Sequence, residues 1–516
     1  MELIKRNIHM DRIRTEALSQ ITPEDDINIP DNKPDVDMIN MEKGEILIDE
    51  VKAGADTVNI RGRLVFWVLY CTAERGGGLA VLEGKIPFEE RVNLQGCTPQ
   101  DAVMVEGRVD DLHIDIINSR KLSVRSVVTL CARVAELYDE EVPIALHGGE
   151  VVEYRRMPVE LVQIVIDKND IFRVKEEMSL PSGYPNMQQI LWNDISLRDV
   201  EWKVLNEKIA LKGDIHVFVL YEGEGENRPI RGYETTLPLG GQIECHGCRE
   251  GMVPDISFSI SQQELTIRPD FDGEERVIGM ELMLDILIKL YEEEQVEVIS
   301  DIYGVSKEVE STVRKANLRR LLSHVTGKTR IVEQVRTGGI PILQLLHSEG
   351  QVLLDRQRVV ENGISLEGSL AVKVMYITGD DKRPYVSTKV MLPYEYTLEV
   401  PGIQPADLGN VTARLEQLQV NMLDGEELSV KAVPVFSTTV FQNVPIGLIS
   451  QVKVGDIDSS KLANLPGMVI YMVQPGDNLW NIGKRYYVPV KSLRELNGLG
   501  SDELKTGQKL LIVKGS

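Results

Sequence analysis

Four short stretches carry residue types that could do chemistry. Cys245-His246-Gly247-Cys248 has the pair spacing of a zinc ligand set. A structural zinc needs four ligands, and no second Cys-x-x-Cys or His-x-x-x-His pair completes it. Gly327-Lys328-Thr329 has the end of a phosphate-binding loop, but Leu322 stands where the loop needs its first glycine, so it reads as a helix C-terminus. Gly76-Gly77-Gly78 is followed by no Gly-Lys-Ser/Thr and reads as a turn. DFDGEE (270–275) is too incomplete for a calcium loop. Neither G-x-S-x-G nor H-E-x-x-H occurs, and the seven histidines are scattered. The expectation is a chain without an enzyme's catalytic site, metal or cofactor.

Composition bounds the rest. At 516 residues, with 42% hydrophobic and 27% charged residues, several folded domains are expected. The longest run without a polar residue, Leu64 to Cys71, is eight residues, well short of the roughly 20 that span a bilayer. The first 20 residues contain no apolar secretory stretch, and five cysteines at irregular spacing do not form a disulfide framework. These features predict a cytoplasmic protein without membrane insertion. A net charge of −23 argues against nucleic-acid binding. Residues 468–516 hold seven basic and four acidic residues, net +3, which leaves −26 on the remainder.

That acidic remainder is a triplication. NIRGRLVFWVLY (59–70), ALKGDIHVFVLY (210–221) and SLEGSLAVKVMY (365–376) each place a Tyr eight residues after a Gly. Seventeen residues later come Pro87, Pro238 and Pro393, and nine after those Gly96, Gly247 and Gly402. Pro34, Pro185 and Pro341 precede the blocks, and KLSVR, ELTIR and ELSVK follow them. The register makes Gly247 a turn glycine like Gly96 and Gly402, which is the bland reading of the Cys-His-Gly-Cys stretch. β-branched and aromatic runs broken by ERGGG, EGEGEN and TGDDK predict strands joined by hairpins. The fold class expected is mainly β, with three sandwich- or barrel-like domains at 1–150, 151–300 and 301–441. The third is preceded by a helix at 307–325, and 442–467 reads as a flexible linker.

The tail, 468–516, reads as strand, helix, helix, strand. Asp477 is expected to cap the first helix, whose apolar face is Leu479, Trp480, Ile482 and Tyr486, with Leu479 and Trp480 in the core. Asn497-Gly498 ends the second helix. The pattern V-x-x-GD-x-LW-x-I…LN…GQ-x-L-x-I resembles the LysM family. It departs from the family at Asn478, where Thr or Ser is usual. The resemblance implies a glycan groove formed by Gly476, Asp477, Asn478 and Leu479 with Asn497, Gly498 and Leu499. The basic residues Lys484, Lys491 and Lys505 add a surface for a protein partner.

Triplicated β units followed by one LysM domain resemble the SipL-like family of clostridial spore coat morphogenetic proteins. The resemblance implies a non-enzymatic scaffold in the mother-cell cytoplasm that localises spore coat at the forespore surface. Its implied partner is a coat-basement ATPase of the stage IV sporulation protein A type, bound through the LysM domain, with other coat proteins on the repeats. The alternative is a binder of peptidoglycan in cortex or wall.

Overall fold

The computed structural model describes residues 2–73, 78–148, 152–225, 228–380, 383–407, 409–457 and 466–513. Parts of the three hairpin turns, Gly76 and Gly77 included, and residues 458–465 lie outside these.

The chain is mainly β, as expected. The first repeat contains β1 (Glu2–Ile21), β2 (Glu24–Asn28), β3 (Val36–Ala53), β4 (Thr57–Thr72), β5 (Leu79–Asn93), β6 (Val103–Asn118) and β7 (Lys121–His147). The second contains β8 (Val152–Ser179), β9 (Met187–Leu205), β10 (Lys208–Gly223), β11 (Ile230–Glu244), β12 (Val253–Pro269) and β13 (Glu275–Gly304). The third contains β14 (Glu308–Lys328), β15 (Ile331–Arg336), β16 (Ile342–Val360), β17 (Gly363–Thr378), β18 (Tyr385–Glu399), β19 (Thr412–Met422) and β20 (Glu427–Gly455). Each repeat packs a three-stranded meander (β3-β4-β5, β9-β10-β11 or β16-β17-β18) against a sheet of long strands centred on β7, β13 or β20.

The shared landmarks have physical reasons. Gly62, Gly213 and Gly368 sit where the middle strand passes a bulge in its neighbour, and a Cβ there would lie 2.5, 3.0 and 2.1 Å from a facing carbonyl oxygen. Tyr70 and Tyr221 are buried and donate to the carbonyls of Pro34 and Pro185 at 3.0 and 3.1 Å, which explains the shared 36-residue spacing. Pro87, Pro238 and Pro393 lie on the edge strands β5, β11 and β18, where a missing N–H costs least. Gly96, Gly247 and Gly402 have φ near +80°, and their N–H groups donate to Asp56, Glu207 and Asn362, each itself left-handed in the preceding hairpin turn.

The later halves of the middle strands β4 and β10 are apolar on both faces because both are buried. Leu64, Phe66, Val68 and Tyr70 face the core of their own repeat, as do Ile215, Val217, Val219 and Tyr221. The other face brings Leu69 and Cys71 of the first repeat, Phe218 and Leu220 of the second and Met375 of the third into one cluster. The three repeats therefore surround a common axis. Along it runs a cavity of about 2480 Å³, with charged residues from all three repeats on its wall, among them Asp11, Asp170, Asp194, Lys289, Arg319 and Glu349.

Beyond each sandwich the long strands continue as two-stranded ribbons, β1 with β7, β8 with β13 and β14 with β20. Ile8, Met10 and Val142 of the first ribbon meet Leu161 and Val298 of the second and Leu318 and Leu448 of the third. Two expectations are corrected here. Residues 307–325 are strand, not helix. The bulge at Leu321/Ser323 inserts Leu322 into β14, whereas that at Thr312/Val313 inserts Ser450 into β20; along β14 the inward positions run from Val309 to Ala316 and Leu318 and then to Val325, mimicking helical spacing. Gly327-Lys328 accordingly closes β14, with Gly327 pressed under Tyr396. The expected linker is also shorter, since 442–455 complete β20 against β14.

No helix of the described residues is long and apolar enough to cross a membrane.

Candidate functional site

The tail folds as β21 (Met468–Met472), α1 (Leu479–Tyr486), α2 (Val490–Leu496) and β22 (Lys509–Val513). Its core is small: Val473, Leu479, Ile482, Val488, Leu493, Leu510 and Ile512. The cap of α1 is Asn478, not Asp477: Oδ1 of Asn478 accepts from the Asn481 amide at 2.8 Å. Asp477 instead holds the entry turn, accepting from the Tyr471 hydroxyl at 2.6 Å and the Gln474 amide at 2.7 Å. Those two donors hold its carboxyl below the usual range.

Both candidate loops rest on this one core, Leu479 buried beneath the first and Leu499 packed at its edge from the second. Asn497 is occupied within the domain. Its Nδ2 donates to the Leu493 and Leu511 carbonyls, and its Oδ1 accepts from the Leu511 amide at 2.6 Å. Gly476 and Gly498 are exposed turn glycines with φ of 87° and 61°. The parts of the loops left to a ligand are thus their backbone, the Asn478 amide nitrogen and the exposed Gly476 and Gly498. Lys491 and Lys505 are exposed, Lys491 at 3.9 Å from Glu495.

Trp480 and Lys484 are elsewhere. One turn apart on α1, they face the β8–β13 ribbon. The Trp480 indole nitrogen donates to Asp301 Oδ2 at 2.8 Å and Lys484 Nζ to Asp301 Oδ1 at 2.7 Å. Tyr303, buried, meets the Trp480 ring edge-on at 4.9 Å and donates to the Val488 carbonyl at 2.8 Å. Arg155 lies over the indole, 5.6 Å from its centre. Gly483 permits this approach, since a Cβ there would lie 2.6 Å from the Tyr303 hydroxyl. Trp480 is therefore not a core residue of the tail; it is the anchor that docks the tail on the body.

Burial pushes the Asp301 carboxyl up, but Lys484, Trp480 and the Ile302 amide together hold it below its usual range. A lowered folded pKa means that docking is fully present above the ordinary carboxylate range and is lost as pH falls through the folded pKa. Trp480→Ala at neutral pH, or acidification of the unaltered chain through the lowered folded pKa of Asp301, is expected to free the tail. Limited proteolysis between 456 and 467 reads this as faster cleavage; unchanged cleavage in Trp480→Ala would contradict the docking.

The outer face of the tail's hairpin is not among the residues that the sequence motif marks. Met468, Ile470 and Met472 are 63, 72 and 53% exposed. Val513 and Leu511 stand directly across from Met468 and Ile470 and so share that face. The alternation MVIYM, with Val469 and Tyr471 turned inward, was the available signal.

Three β-sandwich domains around one axis, with a βααβ module docked on the second, define a multidomain protein of binding modules. The SipL SPOCS domain model matches residues 35–117, 186–268 and 341–423, and the LysM domain model matches 471–513. The chain belongs to the SipL-like proteins, with three SPOCS domains and a C-terminal LysM domain. Each SPOCS match spans the meander and the strand after it, leaving the ribbons outside. Among curated proteins the chain is similar to two from Bacillus subtilis (strain 168). One is described as probable peptidoglycan endopeptidase LytE, 50% identical over 46 residues, or 9% of this chain and 14% of that protein. The other is the uncharacterized protein YkzQ, 44% identical over 43 residues, 8% of this chain and 57% of that protein. The chain thus spans less than two thirds of either relative. No solved structure matches it.

Proposed function

We propose that the chain is a non-enzymatic scaffold of spore coat assembly. It holds a coat-basement ATPase of the stage IV sporulation protein A type through its LysM domain, at the forespore surface. The observation that carries this reading is the exposed apolar face of Met468, Ile470, Met472, Leu511 and Val513. A contiguous apolar face on an otherwise charged small domain suits a protein interface core. A hydroxyl-rich sugar chain has little use for a flat patch of methionine and isoleucine. The acidic body adds to this, because its net charge of −26 opposes adsorption to anionic wall polymer.

A second reading, binding of peptidoglycan through the Gly476–Leu479 and Asn497–Leu499 loops, is favoured by the similarity to the protein described as a peptidoglycan endopeptidase. Ile470→Asp separates the two. It places a charge on the apolar face, away from the loops, and the side chain is already mostly in solvent. On immobilised ATPase it is expected to weaken binding about tenfold or more, the scale of an apolar hot-spot loss. Unchanged ATPase binding by Ile470→Asp would overturn the assignment of that face.

A further inference from the structure

Around the common axis the three repeats place different residues at one register position. Lys43 pairs with Trp67, Asp194 with Phe218 and Glu349 with Lys373. Two residues earlier stand Met41, Trp192 and His347. Residues i and i+2 share a strand face, so His347 and Glu349 project from β16 to the same side, and Asp194 meets them from β9. One ligand atom from each of the three lies within 4.8 Å of the other two.

His347 is the informative member. Its side chain is 7% exposed and stacks on Phe218 of the neighbouring repeat, ring centres 3.9 Å apart. Its buried Nε2 has no hydrogen-bond partner, although it faces Asp194 Oδ2 at 3.5 Å. A buried ring nitrogen left without a partner is costly, and here it faces the Asp194 carboxylate, with Glu349 in the same cluster. Lys43, at the equivalent position of the first repeat, is within 3.3 Å of Glu45.

We propose that Asp194, His347 and Glu349 form a site for a divalent transition-metal ion of the Zn²⁺ class that ties the second repeat to the third. The ligands are His347 Nε2 and one oxygen from each carboxylate. A zinc ion about 2.0–2.2 Å from tetrahedral ligands holds them roughly 3.3–3.6 Å apart, the separation His347 and Asp194 already have. Imidazole mixed with carboxylates suits such an ion better than Mg²⁺ or Ca²⁺, which prefer all-oxygen sets. Asp194 and Glu349 line the central cavity, so an ion has a route in and water can fill the remaining position.

The test is titration of the chelator-stripped full-length chain with Zn²⁺ alone, by calorimetry and by thermal unfolding. The unaltered chain is expected to bind one Zn²⁺ at this site and to gain about 3–8 °C in Tm at a hundredfold excess over Kd. E349Q, a neutral isostere on the cavity wall, is expected to lose at least about tenfold in Zn²⁺ affinity and most of the Tm gain. D194N, checked for native circular dichroism, provides the same comparison should E349Q fold poorly. C245S is expected to retain both effects, which separates this site from the cysteine pair. The proposal is overturned if the unaltered chain gains no Tm with Zn²⁺, if E349Q and D194N keep the gain, or if C245S abolishes it.

Discussion

Gly368→Val is expected to destabilise the third repeat severely and, because the repeats are joined and unfold together, to lower the unfolding midpoint reported from all three. A Cβ at this position would lie 2.1 Å from the Leu353 carbonyl and 2.6 Å from the Tyr394 hydroxyl. Neither neighbour can yield, because Leu353 is backbone of the adjacent strand and Tyr394 is buried, donating to that same carbonyl at 2.8 Å. Overpacking of this kind costs about 3 kcal/mol or more, a large part of one domain's stability. The three equivalent glycines make a graded series. Gly62 faces a carbonyl at 2.5 Å and the Phe88 ring at 2.7 Å, whereas Gly213 has nothing closer than 3.0 Å. Alanine substitutions should therefore destabilise in the order 368, 62, 213. Denaturant unfolding with a probe in each repeat measures this; equal costs at the three positions would contradict the steric account.

Asp11→Ala is expected to loosen the three repeats from one another without unfolding any of them separately. Asp11 belongs to the first ribbon and is 11% exposed. Its carboxylate accepts from Lys289 at 2.8 Å and from Tyr291 at 3.0 Å in the second repeat, and from Arg319 at 3.0 Å in the third. Removing it leaves two largely buried cations facing each other without their counter-charge, a change that costs about 3–5 kcal/mol. Burial pushes the Asp11 carboxyl up, but Lys289, Arg319 and Tyr291 outweigh it and the folded pKa is lowered. The stabilisation is therefore complete above the unfolded carboxylate range, near pH 4, and is lost as pH falls through the folded pKa. Unfolding followed by repeat-specific probes should change from concerted at neutral pH to stepwise in Asp11→Ala. A single unshifted transition in the variant would show that the network does not join the repeats.

The repeat was legible because its landmarks answer to backbone constraints that few residues meet. A bulge crossing needs Gly62, Gly213 and Gly368, a left-handed turn needs Gly96, Gly247 and Gly402, and an edge tolerates Pro87, Pro238 and Pro393. The turn residues that bind those glycines were invisible because Asp56, Glu207 and Asn362 do one job with three side chains. Lys43, Asp194 and Glu349 diverged for the opposite reason, occupying one position with different roles around the axis. The ribbon at 308–328 is not legible as strand because the bulge at Leu322 interrupts its two-residue period, and its partner, β20, lies more than a hundred residues away. In the LysM domain the pattern marks the order of elements and the buried Leu479 and Ile482, but not the cap, which is Asn478. Trp480 reads from sequence as a core residue, since a small domain needs its large apolar side chains for burial, and only Asp301 and Tyr303 beside it show that it docks instead.

On the proposed function, the LysM domain binds a protein and not a glycan. The direct measurement is equilibrium binding of the full chain to a purified ATPase of the stage IV sporulation protein A type, repeated with insoluble peptidoglycan in excess. The account predicts ATPase binding that peptidoglycan does not reduce and that Ile470→Asp weakens about tenfold or more. Salt-resistant pelleting of the chain with peptidoglycan, without measurable ATPase binding, would contradict it.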